Sequence, residues 1–273
     1  MLIANQNNSF DVALEILYMR FFSNRSNKLE HEPELPRAGR QLLKQETFVN
    51  TESMRVHRLA ELICACLSGT EGALVAVELA TRLRDGDIIR GIYLSNVHPI
   101  LKSLFAVQPI HSLQALFDIE EKTFPASFVL FDDLEDPRSN PADAISIDAL
   151  IAWCERDQLR NFQLAVSIIT FGCRSDGNDL LVWSEQARSL LANAPNPQSV
   201  LAIFIQRFRP MGWSGSRAAI MDTYAKLLDQ VGTEISEELA AYARVEKKKL
   251  VKAIEIQREW ETKHDKDRDE RFE

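Results

Sequence analysis

The sequence predicts an all-α fold in which antiparallel helix pairs stack irregularly as a solenoid, closed by a long charged C-terminal helix. Three observations carry this expectation. Apolar residues recur at spacings of three and four through most of the chain. Breakers are scarce, with 10 Gly and 10 Pro in 273 residues, so elements run long between turns. The connections are brief, and brief connections lay successive helices side by side and nearly antiparallel.

Taken in order, a first helix is predicted over 9–22, where Phe10, Ala13, Leu14, Leu17 and Phe21 share a face opposite Asp11 and Glu15. The polar residues 23–27 end it. The proline-bearing stretch up to Pro36 reads as a linker, because proline lacks the N–H and clashes inside a helix. Helical periodicity resumes at Arg37. Over 52–67 the stripe Val56, Leu59, Ala60, Ile63 and Leu67 is complete, and Ser68-Gly69 stops it. Thr70 is then expected to cap a helix over 71–83, and 84–87 reads as a turn. Shorter helices are predicted over 88–95 and 99–106, and another from Pro109, with prolines at permitted first-turn positions. The apolar run 126–131 fits a short strand or a buried helical turn equally.

Beyond the acidic, proline-rich loop 132–141, helices are predicted over 141–155, 158–171, 180–192, 197–208, 216–231 and 234–263. In the last of these, Leu239, Ala243, Leu250, Ile254 and Trp260 fall near a heptad seam that Glu246 and Gln257 interrupt. Such a helix either caps the stack and frays after Lys263 or protrudes as a docking arm. The expected organisation is an N-terminal helix and linker (1–36), an N-terminal helical bundle (37–131), the acidic loop (132–141), a helical-repeat region (142–232) and a charged C-terminal helix (233–273).

A net charge of −8 argues against general nucleic-acid binding, since tracking phosphates calls for a basic excess or stripe. Lys247, Lys248, Lys249 and Lys252 form the one concentrated basic patch, and acids flank it. No apolar run approaches the ~20 residues that span a bilayer, and no signal-type segment opens the sequence. A cytoplasmic protein with no membrane contact is expected. Cys64, Cys66, Cys154 and Cys173 lie in apolar stretches and read as small buried hydrophobes.

Three motifs fail on their own geometry. On a helix, Cys64 and Cys66 point about 200° apart and cannot face one ion. Gly212-Trp213-Ser214-Gly215-Ser216 lacks the Gly-x-Ser-x-Gly spacing of a nucleophile elbow and follows an expected helix rather than a strand. It reads instead as a turn: Ser214 or Ser216 caps the next helix, Gly215 permits the tight entry, and Trp213 packs on the neighbouring pair. The acids Asp132, Asp133, Glu135 and Asp136 lack the alternation of a calcium loop. The five histidines have no partners set by local spacing. No catalytic, cofactor or metal residue is therefore assigned.

The paired amphipathic helices resemble degenerate HEAT or armadillo-like repeats. The stretch from Arg207 to Arg217 and the charged end from Asp267 to Glu273 resemble C-terminal helical regions of uncharacterised bacterial proteins, some of them tied to conflict or defence systems. The resemblance implies a non-enzymatic scaffold that binds a protein partner, as a subunit or regulatory component of such an assembly, with no cofactor. Trp213, Arg217, Lys247, Lys248, Lys252 and Trp260 are the residues expected to meet that partner. The alternatives are an enzyme whose hydrolase-like site is assembled from distant helices, and nucleic-acid binding along a local basic groove.

Overall fold

The computed structural model describes residues 2–22, 34–48, 51–85, 94–118, 126–131, 140–174, 180–232 and 236–269. The chain divides into two compact units, Met1–Trp153 and Cys154–Glu273. The acidic loop expected to part the halves lies almost wholly outside the described residues; only Asn140 and Pro141 of it are placed. Each unit is helical, and among the described residues the one sheet is a small two-stranded hairpin.

In the first unit, α1 (Leu2–Phe22), α2 (Glu34–Leu43), α3 (Ser53–Cys66), α4 (Thr70–Asp85), α5 (His98–Val107), α6 (Pro109–Phe117) and α7 (Ile147–Cys154) follow in order. The expected stripe of α3 is the buried one: Val56, Leu59, Ala60, Ile63 and the cap residue Leu67 are all in the core. α3 packs chiefly on α5 and α4 on α6, while α2 lies against α3 and α1. The run 126–131 is a 3-10 helix, and it brings Phe128 and Phe131 onto Phe117, which Trp153 also meets at 5.9 Å.

Three expectations about helix ends fail in this unit. Pro36 does not delay α2, which begins at Glu34, because the first N–H groups of a helix have no acceptor and a proline there loses nothing. Thr70 is the first residue of α4 and not its cap, since Gly69, at φ 79°, already turns the chain. α4 also runs on through Arg84 and Asp85, where a turn is expected. The helix expected over 88–95 lies mostly outside the described residues; 94–97 is a 3-10 turn leading into α5.

A buried ion pair ties this unit together. The Glu46 carboxylate is fully enclosed and takes the Arg55 guanidinium at 2.7 and 3.2 Å, while Arg55 also reaches Asp11 of α1 at 2.7 Å. Glu46 accepts the Phe48 N–H as well, and Arg82 of α4 donates to the Glu46 carbonyl at 2.9 Å. Those bonds hold Phe48 at φ 56°, a conformation costly for a bulky residue, with its ring in the core.

The second unit contains α8 (Gln158–Ile168), β1 (Gly172–Arg174), β2 (Leu181–Trp183), α9 (Glu185–Asn193), α10 (Pro197–Arg207), α11 (Arg217–Ala225) and α12 (Glu237–Asp269). Here α8 packs on α10 and α10 on α12, with α9 against α10 and α11 against α12. The helix expected over 180–192 is β2 followed by α9. The antiparallel pair β1–β2 opposes Cys173 to Val182, and Ser184 caps α9 by accepting from Ala187 N. Trp183 turns inward, donates Nε1–H to the Leu227 carbonyl at 2.8 Å, and packs on Phe204 and Phe208. Likewise the helix expected over 141–155 is a 3-10 turn (Pro141–Ala144) capped by Asn140, then α7. The segment 216–231 tightens to 3-10 geometry after Ala225. α12 does not fray at Lys263; it continues to Asp269.

Arg207 is the buried cation of this unit. It donates to the carbonyls of Val166 and Ile169 at 2.5 and 2.8 Å and lies over the Phe171 ring at 5.0 Å. Burial pushes its guanidinium down to about 10, so it stays charged at neutral pH. It serves as the closing group of α8, whose last carbonyls carry the negative end of the helix dipole. Arg207→Ala is expected to destabilise the chain by roughly 2–4 kcal/mol in urea unfolding followed by Trp fluorescence, because two buried acceptors lose their donor. Arg207→Lys should recover only part of that loss.

Cysteine burial is mixed, against the expectation that all four are core residues. Cys66 and Cys154 are buried, and burial pushes both thiols up to about 12; Cys64 and Cys173 are exposed. Thiol titration with a disulfide reagent at pH 8 should label two groups quickly in the native chain and the remainder only on unfolding.

Candidate functional site

The expected partner-binding residues separate into two groups along α12. Trp213 and Arg217 lie at the start of α11, which meets α12 at Glu261, the residue after Trp260. Lys247, Lys248 and Lys252 lie nearer the start of α12, with Lys247 and Trp260 about 20 Å apart along the axis at 1.5 Å per residue.

At the first place, the turn before α11 behaves as the sequence implies in part. Ser216 caps α11, accepting from Ala219 N at 3.1 Å, and Gly215 takes φ 77°. Trp213 does not pack into a neighbouring pair; it is 45% exposed, and the Arg217 guanidinium lies over its ring at 4.7 Å. What closes the corner is Glu261, a residue with no signal in the sequence. Its carboxylate accepts from Ser216 Oγ at 2.6 Å, Ala218 N at 3.0 Å and Gln257 Nε2 at 3.0 Å. Desolvation raises its pKa, but the hydrogen bonds from Ser216, Ala218, Gln257 and Arg217 outweigh it and hold the carboxyl below its usual range. An acid from a remote helix at the N-terminus of α11 meets both the free N–H groups and the positive end of the dipole. One residue earlier, Trp260 is more than half exposed and stacks flat on His264 at 5.0 Å and 8°.

At the second place, Lys247 is engaged: its Nζ reaches both Asp229 oxygens at 2.5 and 2.6 Å. Lys249 pairs with Glu246 at 2.6 Å. Lys248 and Lys252 face solvent and make no ion pair among the described residues. The heptad seam read from sequence is the inner face of α12, with Leu239, Ala243, Leu250 and Ile254 buried and Trp260 off it. The outer face carries a second line of residues, Val245, Lys249, Lys252, Ile256, Trp260 and Lys263. Spacings of four, three, four, four and three make it legible, but only if the lysines are counted as stripe positions.

Elsewhere the chemistry is dispersed. The densest titratable group joins α1 and α3: the Tyr18 phenol bonds Glu61, Arg58 lies over the Tyr18 ring at 5.7 Å, and His57 Nε2 sits 3.7 Å from Glu61. The hydrogen bond to Glu61 raises the Tyr18 pKa, and Arg58 Nε and Glu61 Oε2 of the group are buried. Local spacing does give histidines partners: His57 has Glu61, His111 has Gln108 at 3.1 Å, and His264 has Trp260. Buried His98 donates to the Leu130 carbonyl at 3.0 Å. A cavity of about 230 Å3 beside Trp183 and Val231 contains one charged side chain, Arg188, and is smaller than usual ligand pockets. Among the described residues no group of three or more His, Cys, Asp or Glu side chains is placed to hold a metal ion, and no helix is long and apolar enough to cross a membrane. Comparison with known proteins finds no matching family model, curated relative or solved structure.

Because the Glu261 pKa is depressed, its contribution to stability is present above the ordinary glutamate range and is lost as pH falls through its folded value. Glu261→Gln is expected to lower stability at pH 7 by about 1 kcal/mol, the scale of a lost helix cap. The difference from the native chain should shrink toward pH 3, where the native carboxylate is also protonated. Paired denaturation curves at the two pH values measure it.

Proposed function

We propose that this chain is a non-enzymatic helical scaffold that binds a protein partner, as a subunit or regulatory component of a larger assembly of the bacterial defence type. The helix pairs are taken as degenerate HEAT- or armadillo-like repeats. Support comes from the alternating contacts, α3 with α5 and α4 with α6, then α8 with α10 and α10 with α12, the neighbour pattern that stacked hairpins produce.

The observation that carries the proposal is a second apolar stripe on helices whose first stripe is already buried. α1 sends Leu14 and Phe21 into the core, yet Val12, Ile16 and Met19 recur at spacings of four and three on its outer face, each more than half exposed. On α12, Val245, Ile256 and Trp260 are more than half exposed on one outer face, with Lys249 and Lys252 between the first two. Scattered exposed apolar residues need no explanation, but aligned ones mark surfaces that meet something. An enzyme would need acids and imidazoles converging in a cleft; in the Tyr18–Glu61 group the His57 imidazole is mostly exposed. Nucleic-acid binding would need a continuous basic stripe, and Glu246, Glu255 and Glu259 interrupt the lysines of α12.

Affinity purification of the chain from its native host should recover a stoichiometric partner. Ile16→Glu or Ile256→Glu should abolish that recovery without changing the far-UV circular dichroism, since both positions are solvent-facing. Recovery of the native chain alone, repeatedly, would overturn the proposal.

A further inference from the structure

We infer that the outer face of α12 from Val245 to Lys263 is the docking surface for an acidic amphipathic helix of a partner protein; the inference rests on the partner-binding proposal and names the partner's chemistry.

The face is a seam by geometry. Val245, Lys249, Lys252, Ile256, Trp260 and Lys263 follow the four-three alternation that keeps side chains on one side of a helix, over about 27 Å. It lies away from the buried line of Leu239, Ala243, Leu250 and Ile254, so α12 presents two faces and only one is covered by the described residues. The Trp260 indole, laid flat on His264, is a pre-ordered aromatic anchor of the kind that dominates interfaces. A line of this spacing accepts a second helix, with knobs meeting holes at each turn.

The charges decide the occupant. Lys252 and Lys263, with Lys248 at the border, form no ion pair among the described residues, unlike Lys247 and Lys249. Lys252 lies between Val245 and Ile256, so any partner that covers those side chains also strips water from the ammonium. That loss is unfavourable unless the partner brings carboxylates to the same place. A second copy of the face would set one lysine row against another. An anionic lipid surface favours helices whose cations border an unbroken apolar face, whereas here Lys249 and Lys252 stand in its middle and Glu259 lies alongside. The occupant that satisfies both the apolar and the ammonium groups is a helix with Leu-like residues on one stripe and Asp or Glu flanking it.

The test uses the full chain carrying Trp213→Phe, so that Trp260 is the exposed fluorophore. The probe is a synthetic Trp-free 21-residue helix with Leu at a and d positions and Glu elsewhere. The expected result is a saturable blue shift of Trp260 emission that weakens as salt rises, with affinity at least about tenfold lower in the Lys252→Glu/Ile256→Glu chain. Lys252→Gln serves as the milder variant should the double one lose helicity. The inference is overturned if the Glu peptide gives no shift, if both chains bind it equally, or if the Lys-for-Glu peptide binds as well. It is also overturned if phosphatidylcholine–phosphatidylserine vesicles alone give the shift, or if the native chain dimerises through this face in sedimentation. A partner that still co-purifies with the double variant would sink this inference and leave the scaffold proposal standing.

Discussion

Closing buried helix ends is the constraint on which this structure depends. α2, α5, α6, α9 and α11 are nine or ten residues long, so ends are frequent relative to length. Each end leaves up to four backbone groups without an internal partner, and packing carries many of those groups out of water. The chain answers with long polar side chains reaching in from other helices. At the end of α3, Arg40 donates to the Cys66 carbonyl and Gln108 to those of Leu67 and Gly69. Arg84 reaches the Ala115 carbonyl near the end of α6, and Arg207 closes α8. Glu261 does the converse at the start of α11. The signs follow the helix dipole: cations at carbonyl ends, an acid at an N–H end.

This use of charge explains why the interior offers little free chemistry. Arg55, Arg82 and Glu46 are consumed in holding α1, α3 and α4 to the loop before α3. Arg207 has its guanidinium committed to carbonyls and an aromatic face. Cys66 and Cys154 are held as thiols by burial. α12 stands apart. At 33 residues it has few end groups for its length, and its outer face is released from closing duties. There Lys252 and Lys263, which form no ion pair among the described residues, can meet something outside the chain.

Helix existence was legible in the sequence because the core reads out a period: every residue of the α3 stripe is buried as the spacing requires. Boundaries were less so, since they depend on which end group finds a partner. Pro36 is harmless only at the first turn, and Thr70 is displaced as a cap by the positive φ of Gly69. The β1–β2 hairpin escaped because Leu180-Leu181-Val182-Trp183 continues smoothly into the helical pattern of α9; Asp176-Gly177 upstream and Ser184 as a cap were the available signals. Of the candidate site, Trp213, Arg217 and Trp260 were legible as neighbours of a turn and a seam. Glu261 was not, because a carboxylate acting 43 residues from Ala218 leaves no local trace. The engagement of Lys247 by Asp229 is equally non-local.

Local stability does not account for the outer stripes. At an exposed helix position, Lys, Glu, Gln or Ala favours the helix over Val or Ile, whose branched Cβ restricts the side chain against the preceding turn. The outer faces nonetheless hold Val12 and Ile16 on α1 and Val245 and Ile256 on α12, all more than half in water. Each choice costs the isolated helix a few tenths of a kcal/mol and adds apolar area to the surface. The cost is small at one position, but it is aligned at helical spacing on two helices whose inner faces are already served. A fold optimised only for its own packing would place lysine or glutamate there, as α12 does at most of its other exposed positions. The apolar residues become intelligible once the surface they line is treated as half of an interface, its remaining contacts supplied by another molecule.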